Sequence, residues 1–130
     1  MSQDIQFSSF NFSDAISKAL DDMKFITPSP IQAQTIPLLM EGRDAIALAQ
    51  TGTGKTAAFA LPILQNLSPN VRGTQALILA PTRELAIQVA DQFELLSAHQ
   101  KGTTVAVLCG GQEYRRQLDK LRGGAQIVVG

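Results

Sequence analysis

The chain has 130 residues, 45% hydrophobic and 17% charged, with 11 Lys plus Arg against 11 Asp plus Glu. That composition excludes a disordered tail and leaves room for one globular domain, while the balanced charge excludes a general cationic field, so a polyanion would have to meet a local patch. No apolar run approaches the roughly 20 residues that cross a bilayer, "MSQDIQFSSF" has neither the basic nor the apolar region of a leader, and the single Cys109 excludes an intrachain disulfide or a multi-cysteine metal site. These features fit a reducing, cytoplasmic setting with no membrane partner.

From Ser13, "SDAISKALDDMK" places Ile16, Ala19, Leu20 and Met23 on one helical face, with Ser13 as its N-cap. "TPSPIQAQTIPLLMEG" then starts a second helix with Ser29 as N-cap and Pro30 at the first helical position; Pro37 should kink or split it and Gly42 should end it. After Asp44 the pattern changes to short apolar runs, "AIALA", "ALILA", "TVAVLC" and "AQIVV". Continuous apolar runs suit strands buried on both faces. Between them lie the helical segments "KTAAFALPILQNL", "RELAIQVADQFELLSAH" and "EYRRQLDKLR", the second with a stripe of Leu85, Val89, Phe93 and Leu96. Alternating strand and helix predicts an α/β fold with a parallel sheet flanked by helices. "SPNVRGTQ" reads as a connector.

The run "AQTGTGKT", residues 49–56, leaves a predicted strand and enters a predicted helix, the context that a phosphate-binding loop requires. Gly52 and Gly54 let the backbone turn so that several N–H groups converge on phosphate oxygens at a helix N-terminus. Lys55 would reach the β- and γ-phosphates and the Thr56 hydroxyl would bind Mg²⁺, which makes these two the candidate catalytic residues and Thr56 the candidate metal ligand. Ala49 stands where the strict pattern has glycine. The loop itself does not name the reaction, since a nucleotide kinase or a GTPase would share it.

Upstream, "FITPSPIQ" offers Phe25 as a flat apolar surface and Gln32 as an amide that can donate to N7 and accept from N6 of adenine. Taken alone, Phe25 also fits a core residue and Gln32 a helix-surface residue.

These residues resemble the N-terminal part of a bacterial DEAD-box ATP-dependent RNA helicase. Phe25, Pro28, Ile31 and Gln32 match the family's Q motif, and Phe7 falls at its isolated upstream aromatic position, whereas Lys24 replaces the usual glycine. "AQTGTGKT" matches motif I, including the alanine at Ala49; "PTRELA", residues 81–86, matches motif Ia; Gly110 and Gly111 match the GG element. The resemblance implies a RecA-like P-loop domain and an ATP and Mg²⁺ site. That site takes in Phe7, Phe25, Pro28 and Gln32 together with Ala49, Gln50, Thr51, Gly52, Thr53, Gly54, Lys55 and Thr56. It further implies that Pro81, Thr82, Arg83, Gly110 and Gly111 grip RNA phosphates with weak sequence preference. Without the family, "PTREL" is simply a good helix start and "GG" a loop. Arg115, Arg116, Lys120 and Arg122 read as a solvated helix face on which Asp119 could pair with Arg115, and His99 and Cys109 as structural residues.

Residues 1–41 are expected to be a helical segment carrying the Q motif, and 42–130 the first part of helicase domain 1, truncated at its C-terminal end. No predicted strand ends in an acid pair. In the family the DEAD carboxylates, the SAT segment and the second RecA-like domain lie beyond this point, and "TPGR" would follow Gly130. The expected function is therefore ATP hydrolysis coupled to local RNA unwinding or remodelling in the parent enzyme, with this polypeptide alone binding nucleotide. The alternative is a non-catalytic ATP-binding module. Ribosomal or other ribonucleoprotein targets would be reached through regions not present.

Overall fold

The computed structural model describes residues 5–68, 70–111 and 113–130. The chain forms two compact units, Met1–Asn66 and Leu67–Gly130. Within the predicted "SPNVRGTQ" connector, Pro69 lies outside the described residues.

The first unit begins with a 3-10 turn, Phe7–Phe10, followed by helix α1 (Asp14–Asp22), α2 (Pro30–Met40) and α3 (Lys55–Gln65). Ser13 caps α1 by accepting the Ile16 N–H, and Ile16, Ala19 and Leu20 are buried, as the helical spacing predicts. Ser29 caps α2 in a full capping box, with Pro30 at its start. Pro37 does not split α2: the helix runs through it to Met40, forgoing only the N–H that would have bonded Ala33. Gly42, at φ +81°, terminates the helix as expected. Ile16, Ile36, Leu61 and Leu64 are the largest fully buried side chains of this unit.

One predicted strand is absent. "AIALA", residues 45–49, has no regular secondary structure, and Ile46 and Leu48 are 96% and 92% exposed. A strand exists through its neighbours' hydrogen bonds, and no described strand pairs with this segment. Ala45 and Ala47 line a cavity with Ile31 and Leu39, while Ile46 and Leu48 are exposed.

The second unit contains strand β1 (Ala76–Ile78), helix α4 (Arg83–Leu96), strand β2 (Val105–Val107), helix α5 (Tyr114–Arg122) and strand β3 (Ile127–Val129). The three strands form a parallel sheet in the order β1-β3-β2, with Leu77 and Ala106 both opposite Val128. The central strand β3 is buried throughout, whereas Leu77 and Leu79 are 64% and 78% exposed, so burial on both faces holds for β3 and not for β1. In α4, Val89, Phe93 and Leu96 are buried under the sheet, but Leu85, the third residue of the helix, is exposed. Helix α5 buries none of its residues; the ion pair it carries joins Arg116 to Glu113 at 3.9 Å rather than Arg115 to Asp119. Among the described residues no helix is long and apolar enough to cross a membrane.

Candidate nucleotide-binding site and basic loop pair

The phosphate loop closes onto helix α3 through two left-handed glycines, Gly52 at φ +81° and Gly54 at φ +82°. Their surroundings differ. A Cβ on Gly52 would meet open space, whereas one on Gly54 would collide with the Gln32 amide. Gly54 is also the N-cap of α3 and offers no side chain, so the first N–H groups of an 11-residue helix are left to an incoming anion. Lys55 is exposed and Thr56 half-buried at the first two helical positions. The Lys55 ammonium donates to the Ala49 carbonyl at 2.7 Å, and the Thr53 hydroxyl to the Gln50 carbonyl at 2.6 Å, so the loop is tied across its own mouth.

The capping box of α2 reaches this loop. Gln32 is buried, 6% exposed; its Oε1 accepts the Ser29 N–H at 2.9 Å and its Nε2 donates to the Gly54 carbonyl at 3.1 Å. The Ser29 hydroxyl accepts the Gln32 N–H at 3.4 Å and donates to the Thr53 carbonyl at 2.6 Å. Helix α2 therefore holds two successive loop carbonyls. Gln32 is neither on the helix surface nor fully committed: a primary amide has two N–H donors and two lone pairs, so one donor and one acceptor remain for a base edge. Ser29 is the residue that sequence reasoning missed, because capping explained it completely; its spare hydroxyl proton was the available signal.

Phe25 is half-buried and stacks on Phe7, with ring centroids 6.0 Å apart and planes at 20°. Phe7 itself is only 4% exposed; it also packs edge-on against Phe10, and its N–H donates to the Ile26 carbonyl at 2.9 Å. It thus backs Phe25, which lines a cavity with Gln6, Ser17, Leu20 and Asp21. Pro28 is buried in the turn that follows.

In the second unit, the Thr82 hydroxyl caps α4 by accepting the Leu85 N–H at 3.1 Å. The Arg83 guanidinium donates to the Gly110 carbonyl at 3.2 Å and lies 3.7 Å from the Glu84 carboxylate. Gly111 is left-handed at φ +79°, and a Cβ there would collide with the Arg83 guanidinium; a Cβ on Gly110 would meet nothing. The two loops that the sequence marks separately are thus brought together, with Pro81, Thr82, Arg83, Gly110 and Gly111 all exposed.

The donor types of the first unit suit a nucleotide triphosphate: uncapped N–H groups at the start of α3, the Lys55 ammonium and the Thr56 hydroxyl. A magnesium ion carried on the phosphates would find the Thr56 hydroxyl, and no group of three or more His, Cys, Asp or Glu among the described residues is placed to hold a metal independently.

A family model for DEAD/DEAH box helicases matches residues 29–130. The ATP-dependent RNA helicase DeaD of Escherichia coli (strain K12) is 53% identical over 124 residues, which is 95% of this chain and 20% of that protein. DeaD of Haemophilus influenzae is 51% identical over all 130 residues, 21% of its length. The chain thus spans about a fifth of these relatives. Among solved structures, a DEAD box protein from the hyperthermophile Methanococcus jannaschii superposes with a TM-score of 0.87 at 43% identity, covering 96% of this chain and 34% of that one. The RNA-helicase Prp28 from Chaetomium thermophilum bound to ADP gives 0.84 at 36% identity, covering 95% and 31%.

Proposed function

The chain belongs to the DEAD/DEAH box helicase family, and from that premise we propose that it supplies the adenine and phosphate cradle of an ATP-dependent RNA helicase. The observation that carries this reading is the bond from the Gln32 amide to the Gly54 carbonyl, which couples the base-reading residue to the phosphate loop.

In this reading the Phe25 ring supports the adenine from one side, with Phe7 acting behind it. Gln32 uses its remaining donor and acceptor on N7 and N6. The N–H groups from Gln50 to Thr56 receive the phosphates, and Lys55 exchanges the Ala49 carbonyl for phosphate oxygens. Thr56 takes part of the coordination of Mg²⁺, which supplies charge neutralisation when bound. The adenine preference of such a pairing is worth about 1–3 kcal/mol by analogy with amide readout in nucleic acids.

The second unit presents the RNA-facing group of this reading. The start of α4, the Arg83 guanidinium and the glycine pair offer positive and side-chain-free surface to phosphates, which holds a strand without reading its bases. The parent enzyme would use ATP to separate short duplexes or remodel ribonucleoproteins in the cytoplasm, its targets chosen by other regions. Hydrolysis needs an acid for the metal and a group that orients water; neither role falls to Lys55, Thr56 or the other residues of this cradle. The test is Mg·ATP binding measured alongside phosphate release by the 130-residue chain. Saturable binding with negligible release, with or without RNA, is expected; RNA-stimulated release would overturn the division of labour.

A further inference from the structure

Three of the described helices end in the same turn, in which the residue after the C-cap is left-handed and two successive N–H groups bond back into the last helical turn. After α2 that residue is Gly42, at φ +81°: its N–H reaches the Leu39 carbonyl at 3.0 Å, and that of Arg43 reaches Leu38 at 3.1 Å. After α5 it is Gly124, at φ +85°, with bonds to Leu121 at 3.0 Å and from Ala125 to Lys120 at 3.2 Å. After α1 the same two bonds form, from Lys24 to Asp21 at 3.0 Å and from Phe25 to Leu20 at 2.9 Å. Here the left-handed residue is Lys24, at φ +59°. A Cβ in that region crowds the following carbonyl, a conflict that glycine does not have and asparagine partly offsets with its side chain.

The side chain set by this turn is Phe25. It is the second N–H donor of the turn, and its ring is the half-buried partner of the Phe7 stack. Phe7 is fixed by burial, and its N–H bond to the Ile26 carbonyl anchors the chain just after Phe25, so the Lys24 turn sets the backbone on the other side of the ring.

We propose that Lys24 is a positioning residue for the base platform: its resistance to the left-handed turn keeps a fraction of molecules with Phe25 out of place, lowering affinity for the base while leaving the phosphate loop unaffected. This rests on the assignment of Phe25 and Gln32 to the nucleotide base. Apparent affinity falls in proportion to the fraction of molecules in the competent arrangement, so the turn residue tunes the base-dependent part of binding. Glycine raises that fraction, asparagine raises it less, and β-branched valine lowers it.

The experiment titrates Mg·ADP and Mg·pyrophosphate into the wild-type chain and the variants Lys24→Gly, Lys24→Asn and Lys24→Val, with melting temperatures recorded for each. Lys24→Gly is expected to tighten ADP roughly threefold and to leave pyrophosphate unchanged, with asparagine intermediate and valine weaker than wild type. The gain should vanish in Lys24→Gly/Phe25→Ala. Equal ADP affinity across the series, with only the melting temperature moving, overturns the proposal, and so does a gain shared by pyrophosphate. A failure of the underlying assignment appears separately, in the wild-type chain: ADP then binds no better than pyrophosphate, and the inference falls with it.

Discussion

The Gln32 amide donates to the Gly54 carbonyl at 3.1 Å from a buried position, and that same glycine has no room for a Cβ because the amide occupies its place. Gln32 and Gly54 are consequently matched residues. In the proposed reading the first faces the base, and the second caps the helix that would meet phosphate.

Gly54→Ala and Gly52→Ala should differ sharply. Both impose the left-handed penalty of about 1–2 kcal/mol, but only the first drives a methyl group into Gln32, adding an overpacking cost of about 1–3 kcal/mol. Thermal or denaturant melts should rank Gly54→Ala well below Gly52→Ala. Equal losses would show that the Gln32 contact is not maintained.

Ser29→Ala removes both the α2 cap and the bond to the Thr53 carbonyl. A stability loss of about 1–3 kcal/mol is expected, the cap alone accounting for about 1 of it. Nucleotide affinity should fall too, since Thr53 lies in the phosphate loop; an unchanged affinity would reduce Ser29 to a helix cap.

Lys55 is exposed and its bond to Ala49 crosses the open mouth of the loop, so Lys55→Ala should scarcely move the melting temperature. Loss of a charge-assisted bond of about 1.5–3 kcal/mol predicts ATP affinity lower by roughly 10- to 150-fold. Titration of the variant checks both halves.

In the second unit, Gly111→Ala should displace the Arg83 guanidinium, whereas Gly110→Ala has open space. Gel-shift or anisotropy measurements with single-stranded RNA are expected to show Gly111→Ala and Arg83→Ala weakened alike on any sequence. For Arg83→Ala, the slope of log K against log salt should be reduced by roughly one. A sequence-dependent loss would argue for base contacts instead.

Helix positions and caps were legible because their causes are local. Ser13 and Ser29 announce helix starts by side chain alone and cap as read, and Thr82 caps the helix that begins in "PTREL". The 45–49 strand was not legible because strand formation depends on partners that a single segment cannot reveal, and of the two outcomes expected at Pro37 the split does not occur, since one missing N–H leaves the rest of the helix bonded. The family resemblance assigned Gln32 and Lys55 to one ligand, whereas the residues read alone placed Gln32 on a helix surface. The amide's burial and its bond to Gly54 depend on a close approach over 22 residues of separation, which composition does not encode. The replacement of glycine by Lys24 was visible in the sequence, but its left-handed backbone became evident only from the turn.

The central claim is tested most directly by titrating Mg·ATP and Mg·GTP into the wild-type chain and into Gln32→Ala. The account predicts that the wild-type chain favours ATP by about fivefold or more, and that the ratio collapses toward unity in the variant. A wild-type preference for GTP, or an ATP preference that survives loss of the amide, would contradict it.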